Sequence, residues 1–302
     1  MASRHFRLER LAPGVYAAVA VAGAGAVANA GIVDLGGVTL VVDTFQTPQA
    51  ARDLWRETVE VTGRPPAWVA NSHWHRDHIR GNQEFPEATV LATRTTRELM
   101  AERAATTIRE LKESDPQVHL SRLERRLSEE RDSERRRRLA EQISTARETS
   151  LERNRLELRL PDKTFEGRHE VKGFDRSCEL IELGTGHTES DTILLLRKER
   201  IVFAADLVVV GSHPWLAHGD PTAWLAALDR LQELEARVVV PGHGPVAGPA
   251  EVEPIRGYIE ELLRVAADDG MNPVDVPRPY ARWHDAEVFF RNLEALRARR
   301  RA

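Results

Sequence analysis

The 302-residue chain is long enough for one full-sized domain plus a substantial addition. Hydrophobic residues make up 41% and charged residues 30%, with 43 Lys and Arg against 47 Asp and Glu, which excludes a disordered chain, a collagen-like repeat and a general polyanion binder. The single cysteine, Cys178, excludes an intramolecular disulfide framework and fits a reducing, cytoplasmic setting, so any metal must be held by imidazole and carboxylate.

Near the start, residues 15–31 form an apolar run of small side chains ending in Ala28-Asn29-Ala30, which imitates a targeting segment. The run is poor in Leu and Phe, holds Gly23 and Gly25, and flows into residues 32–43 across Gly36-Gly37. It therefore reads as strands near 15–21, 31–35 and 38–43. A helix over 47–62 and strands at 67–71 and 89–92 continue the rhythm of a layered α/β domain. No apolar stretch reaches the roughly 18 to 20 residues of a membrane-spanning helix, so the chain is expected to be soluble.

From residue 94 to about 159 the pattern changes to long helices dense in Glu and Arg, with a break near 114–116. Residues 97–160 carry 16 basic against 14 acidic side chains, so even the run Arg135 to Arg138 sits among carboxylates and nucleic-acid binding is the weaker reading. Leu120, Leu123, Leu127, Leu139 and Ile143 recur at helical spacing. That stripe predicts a hairpin packed on the main domain, with a homodimer contact or a lid as its other uses. Strands then return at 170–174, 178–183, 192–196, 201–205 and 237–241, with a helix at 221–235 before the last. The insertion, 96–160, thus interrupts one domain spanning 1–250. The segment 251–302 reads as a helical extension packed on the core, with Tyr280, Trp283, Phe289 and Phe290 to bury.

The chemistry concentrates directly after the strand at 67–71, in Ser72-His73-Trp74-His75-Arg76-Asp77-His78. In extended chain, residues two apart share a side, so His73 and His75 converge on one metal ion. Asp77 and His78 lie past the bend and face a second ion. Nitrogen and oxygen ligands without thiolate suit Zn²⁺, with Fe or Mn as alternatives. Three further candidates stand at strand ends: His187 in Gly186-His187-Thr188, Asp206 after the apolar strand at 201–205, and His243 in Gly242-His243-Gly244. Such junctions gather at one edge of a layered sheet, where functional side chains sit.

In these motifs the sequence resembles the metallo-β-lactamase superfamily, which includes glyoxalase II, lactonases and RNase Z. His73-Trp-His75-Arg-Asp77-His78 looks like the HxHxDH motif, and His187, Asp206 and His243 follow in the family's order. Asp43 resembles its early aspartate, which supports the metal loop from behind. The resemblance covers about 1–95 and 161–250. It implies a four-layer αβ/βα sandwich carrying the charged insertion and the C-terminal cap. It further implies His73, His75 and His187 on one ion, Asp77, His78 and His243 on the other, and Asp206 between them, with Asp77 and Asp206 catalytic. Hydrolysis by a hydroxide bridging the two divalent ions is the expected reaction.

Asp206 departs from the zinc β-lactamases, which lack an aspartate there, so a small ester, thioester or lactone is the expected substrate and penicillin hydrolysis a weak one. A phosphodiesterase or nuclease of RNase Z type would need a basic stripe leading to the metals. A non-catalytic or di-iron redox protein is the reading of another class, and no flavodoxin-like segment follows His243 to serve it. Trp74 is expected as an apolar pocket wall, and the loop holding His213, Trp215 and His218 either lines the pocket, with Trp215 as a second wall, or packs against the tail helices, with no catalytic role assigned to either histidine. Arg76 and Arg80, borne on a helix, are expected to face solvent.

Overall fold

The computed structural model describes residues 3–268, 270–271 and 273–301. The chain is a mixed α/β protein with two sheets, and its residues cluster into two compact units, Met1–Cys178 and Glu179–Ala302.

The first unit is built on β1 (Phe6–Ala12), β2 (Val15–Ala20), β3 (Ala30–Asp34), β4 (Thr39–Val42), β5 (Trp68–Ala70), β6 (Thr89–Thr93) and β7 (Lys163–Phe165), adjacent in that order. β1 to β4 pair antiparallel; β4 to β7 pair parallel. The small-residue run near the start supplies β2 and β3. Between β4 and β5 runs α1 (Pro48–Thr62), whose Thr47 side chain accepts from the Ala50 N–H and whose end is closed by Gly63 in a left-handed conformation at φ 72°. Phe6, Ile32, Val41, Phe45, Leu54 and Val69 form its core.

Two strands were invisible to periodicity. β1 is an edge strand in which Arg7 and Arg10 are exposed and Leu8, Glu9, Leu11 and Ala12 half-buried, which erases the alternation, and β7 is three residues long. Between β6 and β7 the chain forms α3 (Arg94–Leu99), a π-helical turn (Met100–Ala104), α4 (Ala105–Glu113), α5 (Pro116–Glu129) and α6 (Ser133–Glu152). The break at Ser114 is where the sequence places it, and a second, at 130–132, is made by Asp132, whose side chain accepts from the Arg135 N–H. Leu120, Leu123, Leu139 and Ile143 bury one another between α5 and α6, so the stripe is used within the hairpin. The end of α6 docks on its own unit: Glu148 pairs with Arg4 at 2.8 Å, Thr149 accepts from Gln46 at 2.7 Å and Glu152 pairs with Arg52 at 2.8 Å.

The second sheet has the order β12-β11-β10-β9-β8, from β8 (Arg168–Lys172), β9 (Ser177–Gly184), β10 (Asp191–Leu196), β11 (Ile201–Val209) and β12 (Val238–His243). Between β11 and β12 lies α7 (Pro221–Glu233), begun by Asp220 as its cap. The C-terminal segment is two helices rather than one continuous run: α8 (Val252–Ala267) and α9 (Glu287–Arg301), separated by a stretch holding Pro273, Pro277 and Pro279, each of which removes a helical donor. Ile255, Tyr258, Ile259 and Leu262 of α8 and Phe289 and Leu293 of α9 share one hydrophobic cluster with Ile193, Val202 and Trp224. Phe290, expected to be buried, is 37% exposed. No described helix is long and apolar enough to cross a membrane.

Candidate metal centre

Each unit carries its own set of ligand-bearing side chains, and each set is shaped by local chain geometry. In the first unit, β5 ends at Ala70 and α2 (Arg76–Ile79) begins after His75, so the ligand histidines lie on the short connection 71–75, which bends at 72–74 instead of running extended. His73 and His75 bring ligand nitrogens within 4.8 Å of each other, and Asp77 and His78 do the same for a carboxylate oxygen and a nitrogen. The His73 ring lies 4.7 Å from that of His75 and 4.2 Å from that of His78, centroid to centroid.

Asp43 organises this loop. It sits just beyond β4, 2% exposed, with φ of 56°, a left-handed conformation that costs a non-glycine residue strain and persists where surrounding contacts hold it. Its carboxylate accepts from the Ser72 N–H at 2.8 Å and the Ser72 hydroxyl at 2.7 Å, and lies 2.7 Å from His78 Nδ1. A carboxylate can only accept, so Nδ1 carries the proton and Nε2 is left as the lone-pair nitrogen for a metal. Behind it the Asn71 and Asn82 side chains exchange hydrogen bonds at 2.8 and 3.0 Å, and Thr44 donates to Asn82 at 2.8 Å. Gly81 has no room for a side chain, since a Cβ there would stand 2.0 Å from the Thr44 carbonyl oxygen. Ser72, Thr44, Asn71 and Asn82 escaped the sequence reading, because their role comes from pairing across 11 to 38 residues of chain.

In the second unit, His187 follows β9 and Asp206 lies within β11, while His243 ends β12. Asp206 Oδ2 stands 3.3 Å from His187 Nε2 and 3.4 Å from His243 Nε2. Two ligands each about 2.0–2.1 Å from one tetrahedral ion are roughly 3.3 Å apart, so this one oxygen has the spacing to share an ion with either imidazole. The position of Asp206 is made by an irregularity: the β11–β12 register shifts on both sides of Ala205, whose φ is 46°. Gly242 presses against it from β12, and a Cβ at 242 would meet Asp206 Oδ1 at 1.8 Å. Gly242→Ala is accordingly expected to displace the carboxylate, lowering both bound metal, by elemental analysis, and melting temperature. Unchanged values for both would show that Asp206 does not need this close approach.

Asp191 holds the turn before β10. It is buried, accepts from the Thr188 hydroxyl at 2.6 Å and from the Thr188 N–H at 3.0 Å, and so fixes the residue next to His187. Burial pushes its carboxyl up to about 7, against the pull of the Thr188 hydrogen bonds. The His187 ring packs edge-on to Trp224 at 5.3 Å.

Of the flanking residues, Trp74 and Arg80 depart from expectation, while the loop of His213 takes the packing alternative. Trp74 is 6% exposed and packs with Ile79, Leu99, Met100 and Ala104 at the root of the insertion, with the Arg103 guanidinium 5.3 Å over its ring. It is core rather than pocket wall. His213 is also buried, 3.1 Å from the Tyr258 hydroxyl and edge-on to Trp283 and Phe289, because Asn292 of α9 pins the loop by donating to the Pro214 carbonyl and accepting from the Leu216 N–H. Trp215 and His218 remain partly exposed, 5.8 Å apart. Arg76 faces solvent as expected, whereas Arg80 is 5% exposed.

Imidazole and carboxylate donors, with one imidazole oriented by Asp43 and one carboxylate oxygen beside two others, are a donor set that suits Zn²⁺ or a similar divalent ion. The profile of the metallo-beta-lactamase superfamily matches residues 24–243. Similar solved structures include a metallo-beta-lactamase from Pontibacter korlensis, 18% identical over 84% of this chain and 99% of that one, with a TM-score of 0.61. Another is a metallo-beta-lactamase from Erythrobacter litoralis, 16% identical over 86% of this chain and 99% of that one, with a TM-score of 0.61. The metallo-beta-lactamase FIM-1 from Pseudomonas aeruginosa, in a mono-zinc form, is 19% identical over 85% of this chain and 95% of that one, with a TM-score of 0.59. At these identities the likeness is one of fold. No curated protein matches the sequence.

Proposed function

The chain belongs to the metallo-beta-lactamase superfamily, and from that premise we propose that it is a metal-dependent hydrolase in which the ligands of both units jointly hold two divalent ions, zinc in the first instance. In this reading His73, His75 and His187 take one ion, Asp77, His78 and His243 the other, and Asp206 lies between them. The observation that carries it is the single oxygen of Asp206 at 3.3 and 3.4 Å from His187 and His243, one imidazole of each ligand group.

Two such ions, when bound, activate water at neutral pH and polarise the oxygen of the scissile group. The chain supplies the rest. Asp43, through His78 Nδ1, keeps the ligand imidazole in one tautomer and one orientation. Asp77, partly exposed at the start of α2, orients the attacking water and accepts its proton as the bond to substrate forms. Asp206, held on β11, would add its negative charge to the ligands of both ions.

We take the substrate to be a small ester, thioester or lactone, because the aspartate at 206 departs from the zinc β-lactamases and the Arg-rich segment 97–160 is nearly balanced by carboxylates, 16 against 14, rather than forming a basic stripe for a polyanion. The test is a kinetic panel on zinc-loaded protein covering an aryl ester, a thioester, a lactone, a penicillin and a bis-aryl phosphodiester. The three carbonyl substrates are expected to lead in kcat/KM. A phosphodiester or β-lactam at least tenfold above all of them would overturn the choice of substrate.

A further inference from the structure

Arg80 is a buried cation beside the ligand loop. It caps the C-terminal end of α2, is 5% exposed, and its Nε is buried and makes no hydrogen bond. The charges that act on it are Arg76, of the same sign, and Asp77. A guanidinium keeps its proton at neutral pH. Other arginines of the same unit are paired: Arg52 with Glu84 and Glu152, Arg64 with Asp34, and Arg159 with Asp162 and the carbonyls of Phe85 and Ala88. Buried charges are ordinarily paired in this way, because the water they give up must be replaced by fixed acceptors. Among the described residues no carboxylate or carbonyl accepts a hydrogen bond from the Arg80 guanidinium, while its backbone N–H donates to the Arg76 carbonyl.

Its position says where the missing acceptor would come from. Arg80 closes α2 two residues after His78 and three after Asp77, both proposed metal ligands, and is buried where Arg76 on the same helix faces solvent. A second cation flanks the same loop, since Arg103 lies over Trp74 from the π-helical turn Met100–Ala104, a rare element that recurs at functional sites. The loop 72–80 thus has positive charge on two sides.

We propose that Arg80 binds an oxyanion, and that this is an anionic group of the substrate itself, a carboxylate or phosphate set away from the bond being cleaved. The proposal rests on the hydrolase reading for the word substrate, but not for the anion site. A planar guanidinium meets either group through two parallel hydrogen bonds, which fixes orientation as well as charge. An ester or thioester carrying a carboxylate would thereby be held by a point outside the metal ligands, and neutral analogues would not.

Two arms test it on the full-length chain. In the first, the metal-loaded and the chelated protein are titrated with sodium sulfate by calorimetry, comparing wild type with Arg80→Gln and Arg80→Lys. Wild type is expected to bind one sulfate saturably in both states, Arg80→Gln at least about tenfold more weakly, and Arg80→Lys in between. Without sulfate, Arg80→Gln should melt no lower than wild type, because it removes an uncompensated charge. In the second arm, kcat/KM for monophenyl succinate is divided by that for phenyl acetate. The ratio is expected to exceed unity in wild type and to approach unity in Arg80→Gln. Wild type that binds no sulfate, or Arg80→Gln that binds it with unchanged affinity, would overturn the anion site. A melting temperature lowered as by a core substitution would do so as well, by giving Arg80 a structural role. Sulfate binding lost in Arg80→Gln with an unchanged ester ratio would instead identify a free anion as the ligand and overturn the substrate assignment. If neither ester is hydrolysed by the loaded protein, the hydrolase reading falls and the sulfate arm still decides for or against Arg80.

Discussion

Asp206→Asn is expected to lower turnover of the best panel substrate by about a hundredfold or more and to release at least one metal ion per chain. The amide keeps the shape of the carboxylate and removes its charge. In the native protein Oδ2 lies 3.3 Å from His187 Nε2 and 3.4 Å from His243 Nε2, so the loss falls where two imidazoles and an anion would otherwise share cations. Stability should change much less, because the strand that carries Asp206 is held by Val202, Ala204, Leu207 and Val208 in the hydrophobic cluster of its unit. Unchanged metal content and unchanged turnover in this variant would refute the bridging role. A folded variant that keeps its metal and loses turnover would move Asp206 from holding metal to positioning substrate.

The second large effect is the response to metal removal. Protein saturated with zinc should contain about two ions per chain, and chelation should abolish hydrolysis while leaving the far-ultraviolet circular dichroism nearly unchanged. The physical reason is the separation of ligands from core. Ile32, Val41, Leu54 and Val69 in one unit, and Ile193, Val202, Trp224 and Ile259 in the other, bury apolar surface without help from the imidazoles. Zinc should still raise the melting temperature, since an ion that binds only the folded chain stabilises it. Saturation at one ion per chain, or activity that survives chelation, would rule out the two-ion centre.

The alternation of short β-branched runs with helical patterns identified a layered α/β chain, and the density of His73, His75, Asp77 and His78 within six residues marked a candidate metal loop from residue types and spacing alone. His187 and His243 were legible because each stands beside Gly where an apolar strand ends, whereas Asp206, expected at the end of a strand over 201–205, lies inside β11, which runs on through Leu207, Val208 and Val209. The break at Ser114 and the start of α7 at Asp220-Pro221 were equally local, set by capping side chains and proline within a few residues.

What only the tertiary structure decided was every property that depends on partners distant in sequence. That Trp74 is core, that His213 is held by Tyr258 and the helix α9, and that the Leu stripe is spent between α5 and α6 are facts of packing, and periodicity marks an apolar side without naming what covers it. The same holds for Asp43, whose left-handed backbone and three hydrogen bonds turn a common acidic residue into the support of His78. Arg80 shows the limit most plainly. On a four-residue helix beside an exposed Arg76 it reads from sequence as a solvated charge, and its burial comes from chain that the helix itself does not contain.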